Sequence, residues 1–170
     1  DLNRQTPWVE PVFPGRAWLR FARGDEAVAA AERLRARMGQ AQDRSTALLA
    51  ALSAREGNLL PVAPGEEEAF RAEVPIELLG QAGVGPGTLE RLVWLGFSRV
   101  GALARLTRAQ LCAQFEEGAV LDELARASDR RPVALYNPPP VVSVAHGFDE
   151  PVREPADYEP VLRHLLQEAA

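Results

Sequence analysis

The sequence predicts an α+β fold. A β-hairpin with helices comes first, an all-α stretch built on a glycine turn follows, and a strand-plus-helix unit begins near the end. Three observations predict it. "VEPVFPGRAWLRF", Val9 to Phe21, has period-2 apolar patterning on both sides of Pro14-Gly15, a strong turn dipeptide. Apolar residues recur at helical spacing in several segments after Gly24. Gly83-Val84-Gly85 stands between two leucine-bearing helical segments.

The elements follow in order. Residues 1–23 read as a strand hairpin with Gly15 and Arg16 at its tip. "GDEAVAAAERLRARMG" reads as a helix that Asp25 caps, arginines close and Gly39 stops. "AQDRSTALLAALSAREGN" reads as a second helix, with Asp43 or Ser45 as N-cap and Gly57-Asn58 as terminator. "LLPVAPG" is extended, and "PGEEEAFRAEVP" is a short acidic helix. Several short helices separated by glycines fill the stretch from Val74 to Phe115, and "GAVLDELARAS" is one more. "LYNPPPVVSVAHGFDEP" is a proline-rich extended linker entering a strand. "ADYEPVLRHLLQEAA" is a helix with Val161, Leu162, Leu165 and Leu166 at helical spacing. It ends without a stop signal, so the chain is expected to continue; the start at Asp1 likewise suggests a missing N-terminal piece.

Composition narrows the function. With 170 residues and 46% hydrophobic content, the chain is globular, and no apolar run approaches a membrane span of about 20 residues. The lone Cys112 excludes an internal disulfide and any multi-cysteine metal site, and it fits a reducing, cytoplasmic compartment. Its apolar helical setting predicts a buried thiol. The net charge of −5 argues against a strongly basic nucleic-acid binder, though backbone amides and a few arginines can still hold phosphates. All 19 basic residues are arginine, so lysine Schiff-base and lysine phosphate-clamp chemistries are excluded.

"AGVGPGTLERLVWLGFSRVGALARL" carries the most specific signal: a helix, Gly-x-Gly, and a helix bearing Leu89, Leu92 and Leu95 up to Gly96. This is the helix–hairpin–helix pattern. Glycines allow a tight turn, and the turn aims N–H groups outward at the start of a helix, where the dipole favours an anion. A DNA phosphate fits there without sequence readout. Gly83, Val84, Gly85, Gly87, Thr88, Arg91 and Arg99 are the candidate DNA-binding residues, with Arg105 as a further phosphate contact. A plain αα-hairpin is the alternative reading. Residues 71–131 hold eight arginines and eight acidic residues, so binding should be weak.

The order of these parts resembles the Y-family, translesion DNA polymerases of UmuC/DinB type over nearly the whole chain. "VEPVFPGRAWLR" is similar to the family's V-E-x-x-S-I-D-E-A-[YF]-L-D, with Val9, Glu10, Ala17 and Leu19 matching and Trp18 in the aromatic position. "ALLAALSAREGNLLPVAPGEEEAF" resembles its helix, K-P-[ND]-G turn, extended segment and acidic helix start. "PIELLGQAGVGPGTLERLVWLGFSRVGALARL" resembles its thumb. The resemblance implies a palm-like remnant at 1–68, a helix–hairpin–helix thumb at 69–135, a linker at 136–145 and the start of an α/β little finger at 146–170. In this frame Val9, Phe13, Trp18 and Phe21 keep the palm core.

The departures bear on activity. The family's metal-holding Asp-Glu pair falls on Gly15 and Arg16. Its triphosphate lysine falls near Ser45 or Thr46 and is absent. Its remaining aspartate would lie upstream of Asp1. The resemblance is therefore to the inactive, ImuB-type members, which act as adaptors in damage-induced mutagenesis. It implies no catalytic residue and no cofactor here, with Mg²⁺ only if the chain were active. It implies non-specific DNA as partner, a sliding clamp and an error-prone polymerase as candidate partners, no membrane, and a bacterial, nucleoid-associated cytoplasmic location. An active translesion polymerase with ligands from the missing part, and a helix–hairpin–helix interaction module, stay open as alternatives.

Other candidates are weaker. His146 and His164 lie in different elements without a further ligand at metal-site spacing. Asp149-Glu150 precedes a proline and reads as a solvated turn. "QLCAQF" loosely resembles a clamp-binding peptide, but Leu111 and Phe115 read as core.

Overall fold

The period-2 run folds as an antiparallel hairpin. β1 (Val9–Val12) pairs with β2 (Arg16–Leu19), setting Glu10 opposite Trp18 and Val12 opposite Arg16. The structure is a computed structural model that describes residues 6–12, 15–127, 129–136, 147 and 155–169. Residues 1–136 form one compact unit and 137–170 a second. Gly15 supplies the positive φ of 69° that the turn requires. Val9 is buried, while Trp18 and Phe21 are half-buried. Phe13 and Pro14 lie outside the described residues.

Helix α1 (Gly24–Leu34) buries Ala27, Ala30 and Ala31, an i, i+3, i+4 stripe. Arg23 stands at its N-cap position without a side-chain cap bond, and Asp25 lies in the first turn. The helix ends at Leu34 with Arg35 in the left-handed region at φ 49°, five residues short of the glycine expected to stop it. Met38–Gln40 instead forms strand β3, parallel to β4 (Leu59–Pro61). The physical reason lies in packing. A Cβ on Gly39 would stand 2.1 Å from the Ala47 carbonyl oxygen and 2.3 Å from the Ala51 nitrogen, both on α2 (Arg44–Ser53). Gly39 is the gap that lets helix and strand backbones touch.

Asp43 caps α2, its carboxylate accepting the Thr46 N–H at 2.7 Å. The helix ends at Ser53, ahead of Gly57, which turns the chain into β4 at φ 77°. Helix α3 (Glu67–Glu73) carries its acidic residues at the start, and Arg71 points inward. A 3₁₀ turn (Ile76–Leu78) runs into α4 (Leu79–Ala82). After the glycine turn come α5 (Pro86–Trp94), a 3₁₀ segment (Val100–Arg105), α6 (Arg108–Gln114) and α7 (Gly118–Arg126). A capping box between Thr107 and Gln110 starts α6. Gly118 lets α7 abut α6, since a Cβ there would meet the Leu111 carbonyl at 2.4 Å.

One apolar cluster joins these helices. Ile76, Leu79, Leu92, Val100, Leu103, Leu111 and Leu121 are fully buried in it, and Leu49 of α2 is its contribution from the first part of the chain. Leu111 and Phe115 are core, as the helical pattern suggests. Cys112 is not: it is exposed on the outer side of α6, because only the Leu111 side of this short helix faces α7.

The second unit contains α8 (Pro155–Ala169), with Val161 and Leu165 half-buried and Leu162 and Leu166 exposed. The linker from Asn137, the strand expected after it, His146 and Asp149-Glu150 lie outside the described residues. The architecture is mixed α+β and mostly helical. Among the described residues no helix is long and apolar enough to cross a membrane.

Candidate nucleic-acid interface

Two glycine-bearing tips carry the candidate residues. At the first, Arg16 follows Gly15 and its guanidinium donates to the Gln81 carbonyl of α4. The β-hairpin tip is thus latched to the helix that precedes the second glycine turn. Gly15 has no side chain, and arginine is a fixed cation with donors only. Neither residue fits a divalent ion, which needs oxygen ligands. The carboxylate on the same hairpin, Glu10, is committed elsewhere: it accepts both Arg44 Nη atoms at 2.8 and 2.6 Å and the Ala134 N–H at 3.1 Å. The Arg44 hydrogen bond chiefly holds its pKa below the ordinary glutamate value. Arg44 also lies over the Trp18 ring, 5.3 Å from its centroid. The half-buried Trp18 thus carries a cation on one ring face. Beside Arg44, Ser45 and Thr46 are buried, and the Thr46 hydroxyl accepts from Arg71 at 2.5 Å.

The second tip is the glycine turn. Gly83 takes φ 107° and ends α4, its N–H returning to the Gly80 carbonyl at 3.3 Å. The Val84 N–H returns to the Leu79 carbonyl at 3.0 Å, and the Val84 side chain is buried in the cluster. Gly85 is extended, at φ −65° and ψ 152°, so the positive φ of the turn belongs to Gly83 alone. Gly85 is the N-cap of α5 and Pro86 its first residue, a position where the missing N–H costs nothing.

A glycine N-cap has no side chain to satisfy the helix start. Glu117 does so from 32 residues away: Oε1 accepts the Gly85 N–H at 3.0 Å, and Oε2 accepts the Thr88 hydroxyl. These two bonds, Thr88 first, hold the Glu117 carboxyl below its ordinary pKa. The Gly87 and Thr88 N–H groups bond no described residue, and a Cβ on Gly87 would meet nothing within 4 Å.

The arginines divide. Arg91, one turn along α5, donates to the Gln114 carbonyl at 2.9 Å and to Gln114 Oε1 at 3.0 Å. It also sits 5.4 Å from the centroid of the Phe115 ring. Arg99 and Arg105 are exposed, and their side chains bond no described residue. The turn, Thr88 and Arg91 thus form one continuous surface with the α6–α7 loop, while Arg99 lies beyond the Gly96 turn, bridged to Pro75. Sequence reasoning missed Gln114 and Glu117. Nothing local to Glu117 points at Gly85, and nothing local to Gln114 points at Arg91.

No family model matches the chain. Over 147 residues it is 30% identical to a DNA polymerase IV of Desulfatibacillum aliphaticivorans, covering 78% of this chain and 37% of that protein. Over 115 residues it is 35% identical to a DNA polymerase IV of Halobacterium salinarum, covering 67% of this chain and 28% of that protein. The chain is distantly similar to DNA polymerase IV, a Y-family polymerase. It spans about a third of the length of these relatives.

Proposed function

We propose that the chain is part of a Y-family-like protein of the ImuB type. In this reading it holds DNA by the backbone without catalysing nucleotide transfer, and works as an adaptor in repair and translesion synthesis. The observation that carries the reading is the β-hairpin tip. Where the family holds its metal ions, this chain has Gly15 and an Arg16 spent on the Gln81 carbonyl. Phosphoryl transfer by two metals needs carboxylates at that place. In this reading 1–68 is a palm-like remnant, 69–135 a thumb-like domain, and the segment from 146 the start of a little finger. DNA is held by the Gly87 and Thr88 amides at the α5 start, with Arg99 and Arg105 as exposed cations, and a sliding clamp and an error-prone polymerase are its protein partners. Primer extension tests the catalytic half. The protein should give no incorporation above a no-enzyme control with Mg²⁺, and the double change Gly15→Asp, Arg16→Glu should not restore it. Extension by the parent would overturn the reading.

A second reading, an interaction module that has dropped DNA, is favoured by two observations. The hairpin's Gly83, Val84 and Gly85 amides are all bonded within the chain. Trp94, at the end of α5, is 91% exposed beside exposed Val93 and Leu95. Anisotropy of labelled duplex DNA against salt separates the two. The DNA reading expects a Kd of about 10⁻⁴ to 10⁻⁶ M or weaker and a slope of roughly one to three counterions. No binding at low salt favours the module.

A further inference from the structure

We infer that the outer face of α5 around Trp94 docks an arginine-bearing apolar segment of a partner protein. The inference takes up the surface named in the interaction reading above, and stands whether or not DNA binds elsewhere on the chain. Helical spacing gives α5 distinct sides. Thr88 and Arg91 are turned to Glu117 and Gln114, and Leu92 is buried in the apolar cluster. Leu89, Glu90, Val93 and Trp94 stand on another side, and with Glu77 of the preceding 3₁₀ turn they line an open hollow. The half-buried Leu89 is its floor: it packs on the cluster, and a Cβ on Gly80 would come within 2.9 Å of its Cδ1 atom. Exposed Val93 and Trp94 form its wall.

Two observations select the occupant. The first is the set of tryptophans. Arg20 lies over the Trp8 ring and Arg44 over the Trp18 ring, 5.7 and 5.3 Å from the centroids. Trp94, the most exposed of the three, carries no cation among the described residues. The second is charge. The titratable residues of the hollow, Glu77 and Glu90, are acidic and exposed, and neither makes an ion pair among the described residues. An aromatic face beside two carboxylates suits a guanidinium, which stacks flat on the ring and donates in its own plane. Val93, Leu95 and the Leu89 floor suit an apolar neighbour of that arginine. The same carboxylates repel a nucleic-acid backbone. A second copy on this face would bring two acidic rims together, in a chain whose net charge is −5. Residues 137–154 offer Arg153 against Asp149, Glu150 and Glu154, a poor match to an acidic rim. The complementary occupant is a cationic segment of a separate protein.

The probe is a capped pentapeptide with one arginine between two leucines and a glycine at each end, titrated into the ¹⁵N-labelled chain. Saturable shifts are expected at the Trp94 indole N–H and at the Leu89 and Val93 amides, with the Trp8 and Trp18 indoles unmoved. Replacing the peptide's arginine by citrulline keeps the shape and removes the charge. That should weaken binding at least about threefold, as for an exposed ion pair with an exposed cation–π contact. The double change Glu77→Gln, Glu90→Gln should weaken it by about the same factor, and Trp94→Ala about fivefold. The three side chains are exposed, so the fold should tolerate their loss, and unshifted Leu103 and Leu111 amides show that each variant is folded. Equal binding of the arginine and citrulline peptides, equal binding by parent and variants, or no shift at Trp94 overturns the inference. So does a Trp94 indole that moves when the chain alone is diluted, which marks a second copy, or when duplex DNA is added, which marks nucleic acid. Peptide binding as expected, with DNA shifts confined to other residues, supports the docking face and removes only the claim that the chain has dropped DNA.

Discussion

The stretch up to Val62 and the stretch from Val74 to Ala127 bury different kinds of side chain. The first buries Val9, Ala27, Ala30, Ala31, Leu49, Ala50 and Val62; the second buries Ile76, Leu79, Leu92, Leu103, Leu111, Leu121 and their neighbours. Small side chains remove little apolar area from water, at about 25 cal/mol per Å². Among its described residues the first part also has only two-stranded sheets, which are marginal alone. Polar ties compensate. Arg71 reaches from α3 to the Thr46 hydroxyl, the Asp43 carboxylate at 3.6 Å and the Ala125 carbonyl at 3.2 Å. Arg44 ties β1 to the 131–132 carbonyls through the Glu10 pair. The difference teaches that one part is held by burial and the other by arginine-centred hydrogen bonds.

The largest effect should come from the leucine-rich part. Leu92→Ala leaves a cavity in a fully buried site and should cost about 3–4 kcal/mol in urea unfolding. A loss under about 1 kcal/mol would mean that the cluster is not the main source of stability. Next comes the junction. Arg71→Met keeps the stem but strips the donors from Asp43, Thr46 and Ala125, and should cost about 2–3 kcal/mol. It should also separate the two parts: fluorescence and far-UV circular dichroism transitions should cease to coincide. Coincident transitions at unchanged midpoint would erase the distinction drawn above.

Gly39→Ala sharpens the comparison within the alanine-rich part. Its Cβ meets backbone atoms of α2, which cannot rotate away, so about 2 kcal/mol should be lost despite better intrinsic propensity. The same glycine marks the limit of sequence reasoning. Local signals located the β-hairpin through Pro14-Gly15, the cap at Asp43, the acidic start of α3 and the turn at Gly83, because each is fixed by residues adjacent in sequence. Gly39 read as a helix stop because its true partners, α2 and the parallel strand at Leu59, arrive later in the chain. Glu117 was invisible for the same reason: a glycine N-cap announces that its acceptor is missing but not where it comes from. Cys112 misled through composition, since an apolar helix of seven residues has only one buried side.

The smallest effect concerns the strap at 129–134, where the arginine ties meet water. The Arg131 hydrogen bond, ahead of all other causes, holds the Asp129 carboxyl down to about 2 from an ordinary 3.8. The Asp129 carbonyl accepts the Arg44 N–H at 2.9 Å, so the ordered strap borders the Glu10–Arg44 pair. A carboxyl with a lowered folded pKa binds fewer protons folded than unfolded. Its contribution is present above pH 3.8 and is lost as the pH falls toward 2. Glu10, also lowered, acts in the same direction from its own ordinary value of 4.5 downward. The arginines stay charged throughout this window. Asp129→Asn should therefore flatten the fall in melting temperature between pH 4 and pH 2, leaving the share due to Glu10 and other carboxyls. Near neutral pH it should cost no more than an exposed ion pair, about 0.5 kcal/mol. If Asp129→Asn instead tracks the parent at every pH, the Arg131 tie does not stabilise the folded chain. The polar support of the first part would then rest on Arg44 and Arg71 alone.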